Sequence, residues 1–222
     1  MARITEDLLL LLLDNATNRP ALDRDRREKV LGAAVLLDLA LACRIRPSVD
    51  GEPVPAGHLL LLAGPDLYDP ILDPALRLLQ RRPLKPQAAV ARLRRAVEPA
   101  VLHYLERSGQ IRPVQLRGTR LNGSRVWPIA DRSRLNEARS AVLAALFDLR
   151  SPAPATAAIV TLLQAVDGLG AILSLNERGW EWVNSRAADI AGGSWVDESA
   201  GPLGLPEVNL AVTASAVRAA LT

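Results

Sequence analysis

One stretch constrains this chain more than any other: VLGAAVLLDLALA, residues 30 to 42, is apolar all round apart from Asp38. A helix with no polar face has to be enclosed on every side. The rest of the chain must therefore wrap around it, which predicts a central helix opening near Asp23 or Asp25 and running to about Cys43. The six leucines Leu8 to Leu13 form a second apolar run, bounded by Glu6, Asp7 and Asp14. The run falls well short of the roughly 20 residues that cross a bilayer. With carboxylates before it and no small-residue cleavage site after it, it is not a secretion signal either. It reads as a short core helix with Thr5 as N-cap and Glu6 and Asp7 in the first turn, where negative charge suits the helix dipole.

Around these two helices the turn signals divide the remainder. CRIRPSVDGEPVPAGHLLLLAG turns at Asp50-Gly51 and reads as a hairpin of uneven strands. A helix starts after Pro70 or near Asp73 and ends before Pro83. Residues 87 to 97 read as a short arginine-rich helix, with Pro99 in the first turn of the next one, the position where proline is tolerated. That next helix ends at Gly109 as its C-cap, and a second hairpin over residues 111 to 129 turns at Asn122-Gly123. Helical pattern returns over about 133 to 149, 155 to 173, 177 to 191 and 206 to 221, with Asn176 and Glu177 opening one helix and Pro206 and Glu207 another. The fold class is mainly α: one helical domain, residues 1 to 222, with a buried central hydrophobic helix surrounded by amphipathic helices, plus two β-hairpins.

Little in the sequence suggests catalysis. His58 and His103 each lack a metal-spaced partner, and no nucleophile, base and orienter group appears. The GLGA at 168 to 171 follows a helical stretch instead of a strand, so the dinucleotide reading fails, and no cofactor is expected. A single cysteine, Cys43, permits no internal disulfide, which fits a reducing, cytoplasmic setting. Charge is more informative. Between Ala75 and Arg139 there are fifteen Arg or Lys against four Asp or Glu, a net +11, which leaves −8 on the other segments of a chain whose total is +3. Such a split suggests a basic face for an anionic partner, either an acidic membrane surface or nucleic acid; solvated charge spread around several helices is the plainer alternative. Trp180 and Trp182 lie two apart on a helix and so point in different directions. At least one is expected near the surface, where tryptophan beside basic residues suits a membrane interface, against the alternative of core packing.

Several segments, in order, carry a resemblance: ITEDLLLLLLD, LGAAVLLDLALACRI, DPILDPAL, LERSGQIR leading into a hairpin that closes with WPIAD, and AAIVTLLQAVDGL. Together they resemble the Golgi phosphoprotein 3 family, in its bacterial branch, over about residues 3 to 222. With no convergent catalytic set visible, the chain is not expected to be an enzyme, and the eukaryotic members of the family imply a peripheral membrane protein. Eukaryotic members bind phosphatidylinositol 4-phosphate in a basic pocket rimmed by a tryptophan, bind protein partners, and self-associate through the second hairpin. Carried over by position, the rim tryptophan corresponds to Asp23, a pocket arginine to Gly32, and two arginines spaced i, i+3 to Arg95 and Glu98, or to Arg92 and Arg95 if a gap is admitted. The lipid-binding residues expected here are therefore an arginine-rich face of Arg92, Arg94 and Arg95, reinforced by Arg117, Arg120 and Arg125 on the hairpin. The expected partner is an anionic phospholipid surface, phosphoinositide included, on the inner face of the cell membrane. The alternative is a nucleic-acid-binding module that uses the same basic face, with the 111 to 129 hairpin as a wing.

Overall fold

The computed structural model describes residues 3–65, 67–115, 125–148, 150–196 and 204–221. Eight α-helices are seen among them: α1 (Ile4–Leu13), α2 (Arg24–Leu41), α3 (Asp73–Arg81), α4 (Pro86–Arg107), α5 (Ser133–Phe147), α6 (Pro154–Ala165), α7 (Glu177–Ala191) and α8 (Leu205–Arg218). Two antiparallel hairpins complete the fold. β1 (Ile45–Pro47) pairs with β2 (Leu59–Leu61), Ile45 opposite Leu61, and β3 (Val114–Gln115) pairs with β4 (Arg125–Val126), Val114 opposite Val126.

The central helix is where its apolarity demands. Val30 to Ala40 of α2 are all buried, and α2 packs against α1, α4, α6, α8 and β1. Every residue of α1 is buried, and the six leucines contribute on the order of 10 kcal/mol of burial before chain entropy is subtracted. A third helix, α6, is buried from Thr156 to Leu163. The core is thus a cluster of three nearly enclosed helices inside amphipathic α3, α4, α5, α7 and α8.

Three local expectations are corrected. Thr5 does not cap α1; it lies inside the helix, and its backbone N–H, its hydroxyl and the Ile4 N–H all donate to the carboxylate of Asp38 on α2. The one charged group in the central helix therefore satisfies the start of its neighbour. Residues 87 to 97 and the helix after Pro99 are one continuous α4. Its apolar stripe Val90, Leu93, Val97, Val101, Leu105 keeps a helical period across the proline, whose ring is exposed, so packing on α2 overrides the break. The 155 to 173 helix stops at Ala165, because Asp167 takes a left-handed φ of 49° while Gly168 N–H donates to Leu163 O at 2.7 Å; a single 3-10 turn (Leu169–Ala171) follows. α5 ends at Phe147, and Leu149 lies outside the described residues.

Other starts and stops agree with the sequence. Asn176 caps α7 through Gly179 N–H, and Pro206 sits in the first turn of α8. Gly109, at φ 76°, closes α4 with Gly109 N–H to Glu106 O and Gln110 N–H to Leu105 O, the paired bonds of a Schellman end. That end carries the chain directly into the second hairpin, whose Asn122-Gly123 turn lies outside the described residues. Trp127 N–H then donates to Asn18 O at 2.8 Å, which fixes β4 beside the loop leading into α2.

Candidate anion-binding cleft

Three elements meet at one open cleft of about 450 Å³. The first two turns of α2 supply Arg24, Arg27 and Glu28. The middle and end of α4 supply Arg95, Glu98, Pro99, Leu102, His103 and Glu106. The segment entering and leaving β4 supplies Arg125 and Trp127. The volume falls within the usual range for small-molecule sites, about 300–1,000 Å³. Asp23 begins the α2 wall as a true N-cap: its carboxylate accepts from Arg26 N–H at 3.0 Å and pairs with the Arg26 guanidinium, and these bonds, the backbone one first, hold its carboxyl below the usual range.

Most charges around the cleft are already engaged. Arg27 pairs with Glu98 at 3.0 Å, both side chains largely covered, and also donates to Leu22 O. Arg24 pairs with Glu28 at 2.7 Å. Arg94 turns toward α2 and binds Asp25 at 2.7 Å, so that Asp25, held first by Lys29 and then by Arg94, titrates below the usual carboxylate range. Arg95 and Arg125 have no ion-pair partner among the described residues.

The structure thus separates the six arginines of the expected face. Arg95 and Arg125 come together in the cleft from different elements. Arg92 is exposed one helical turn from Arg95, outside the cleft lining, and Arg94 is committed to α2. Arg117 and Arg120 lie outside the described residues. The +11 stretch is also less of a free basic face than its sequence suggests, because Arg94, Arg132, Arg134 and Arg139 clip onto Asp25, Asp14, Glu6 and Asp7 in the acidic N-terminal helices and their flanks.

The three positions aligned to the family's pocket have structural tasks here. Asp23 is the cap just described, and Glu98 neutralises Arg27. At Gly32 a Cβ would meet Arg94 Cα at 3.3 Å and Val90 O at 3.4 Å, so glycine lets α2 and α4 approach backbone to backbone, and an arginine there would force them apart. The cleft walls at Arg24, Arg27 and Glu106 are not singled out by the sequence, which marks His103 only as lacking a metal-spaced partner; the α4 stripe at 95, 99, 102 and 106 is hidden by the expected break at Pro99. Of the paired tryptophans, Trp182 is half exposed, but its Nε1–H donates to Leu146 O at 3.2 Å beside Arg186, which donates to Ala145 O, so the pair caps the C-terminal carbonyls of α5.

No helix among the described residues is long and apolar enough to cross a membrane. The comparison with curated proteins returns no match. The family model described as Golgi phosphoprotein 3 (GPP34) matches residues 4–203, from the first core helix to the threshold of α8. By this match, which spans most of the sequence and the mainly helical fold with its enclosed central helix, the chain belongs to the Golgi phosphoprotein 3 family.

Proposed function

We propose that the protein is a peripheral membrane-binding protein, not an enzyme, that takes the headgroup of an anionic phospholipid in the cleft between α2, α4 and the second hairpin. One observation carries the reading: Arg95 and Arg125 line the same cleft, neither has a carboxylate partner among the described residues, and Trp127 lies beside them. A phosphate group is bound well by such charge-assisted donors, and the amphipathic indole suits the boundary between headgroup and water. Arg92 and the well-exposed Arg24 extend the positive surface at the rim. At roughly 1 kcal/mol for each basic residue close to an acidic surface, this group supports reversible attachment to the inner face of the cell membrane. Family membership supports phosphatidylinositol 4-phosphate as one candidate headgroup and attachment of a protein partner or a second copy at the 111 to 129 hairpin as a further role.

Co-flotation with liposomes tests the proposal. The protein is expected to remain unbound with neutral vesicles, to float with anionic ones at low salt and to be released at high salt. Arg95→Glu combined with Arg125→Glu removes flotation while leaving the thermal unfolding midpoint in place. Unchanged flotation of that variant would place the binding face elsewhere. Salt-resistant binding confined to phosphatidylinositol 4-phosphate would identify a dedicated phosphomonoester pocket.

A further inference from the structure

We infer that the cleft is selective for a headgroup carrying two negative groups and one positive group, the serine phosphodiester headgroup; this rests on the reading of the cleft as an anionic-headgroup site. The inference comes from removing the charges that already neutralise one another. Arg27 with Glu98 and Arg24 with Glu28 form pairs within the lining, and Arg94 is held by Asp25. Apart from His103, what remains without an ion-pair partner among the described residues is Arg95, Arg125 and Glu106. Two permanent cations and one carboxylate thus border one space.

Glu106 is placed against local electrostatics. It lies in the last turn of α4, where the helix dipole disfavours a carboxylate, and it has no ion-pair partner among the described residues. A phosphomonoester dianion would meet Arg95 and Arg125 but be opposed by Glu106, and a phosphodiester of an uncharged alcohol would leave the carboxylate facing an anionic surface unpaired. A serine phosphodiester engages all three groups. Its phosphate and carboxylate pair with the two guanidiniums, and its ammonium pairs with Glu106 beside the Trp127 ring, which also attracts cations.

The helix gives this assignment its geometry. Arg95 and Glu106 lie eleven residues apart on one unbroken helix, so they share a face with about 16 Å between their Cα atoms. Between them on the same stripe are Pro99 and the largely buried Leu102, which offer no competing charge. The two charged residues thus bracket this interval of the cleft wall, with positive charge at one end and negative charge at the other.

Vesicles of neutral lipid containing equal fractions of either phosphatidylserine or phosphatidylglycerol carry the same net charge, so the general electrostatic attraction is matched and only the ammonium and carboxylate differ. The wild-type protein is expected to partition onto the phosphatidylserine vesicles about tenfold more strongly, the order of one charge-assisted contact. Glu106→Gln is expected to abolish that preference, weakening phosphatidylserine binding and, with the opposing carboxylate neutralised, strengthening phosphatidylglycerol binding. Equal binding of the wild type to both vesicles, or a preference that survives Glu106→Gln, overturns the serine assignment and leaves the anionic-headgroup reading standing. Absence of binding to either vesicle removes both. The circular dichroism melt of Glu106→Gln, an exposed position, shows that a lost preference is not lost folding.

Discussion

Asp38 joins the two most deeply buried helices through one carboxylate. It accepts from Ile4 N–H at 2.8 Å, from Thr5 N–H at 3.1 Å and from the Thr5 hydroxyl, and burial pushes its carboxyl up to about 6 against the opposing pull of these bonds and of Arg3. The folded protein therefore holds this proton more tightly than the unfolded chain does, so the contribution of Asp38 to stability is largest in acid and declines as pH rises through the window from about 4 to 6. Asp38→Asn, which cannot titrate, should lose ground to the wild type by about 2 kcal/mol more at pH 4 than at pH 7, as read from urea unfolding at the two pH values. An equal difference at both would mean that Asp38 keeps an ordinary pKa. The sequence marks Asp38 as the exception in an apolar helix. Its partner is not legible there, because Thr5 lies 33 residues away and is itself a good local cap, so the nearer explanation takes precedence over the true one.

At the scale of elements, α4 teaches the same lesson through a proline. Pro99 removes the N–H that would bond Arg95 O, and read locally it starts a new helix. The long apolar stripe packed on α2 holds the helix together across it, and the proline ring itself is exposed. Because proline is about 3 kcal/mol worse than alanine inside a helix, with part of this returned by its stiffening of the unfolded chain, Pro99→Ala should stabilise the protein by about 1–2 kcal/mol in chemical denaturation. A loss of stability would mean that the proline sits at a helix start after all. Elements whose boundaries depend on local chemistry were readable: the Gly109 end, the Asn176 cap and the proline opening of α8. Boundaries set by an atypical residue were not. Asp167, and not the adjacent Gly168, takes the left-handed position that ends α6.

For the whole molecule, the segregation of charge along the chain is a folding device before it is a binding surface. Acids of the N-terminal helices meet bases of the later ones: Asp14 holds Arg132 and Arg139, and the buried Glu6 and Asp7 hold Arg134 of α5. Burial raises the pKa of Asp7, and the guanidinium of Arg134 acts against this. Arg134→Met leaves the buried Asp7 without its cation and Glu6 with Arg3 alone, and should cost about 3–5 kcal/mol in thermal or urea unfolding. Adding Glu6→Gln and Asp7→Asn should recover a good part of that loss, since the uncompensated charge is then gone; no recovery would assign the cost to packing. The net charge of the stretch was legible in the sequence, but which of its arginines remained free was not, because pairing depends on how the helices are assembled. Arg95 and Arg125 were within reach of sequence reasoning, and Glu106 was not. The continuity of α4 also makes the cleft a ruler. Its graduations are fixed by the helical repeat, so one residue inserted between Arg95 and Glu106 lengthens the interval by only about 1.5 Å yet swings one end through about 100°. Charge count would be unchanged, and the two marks would no longer face the same object.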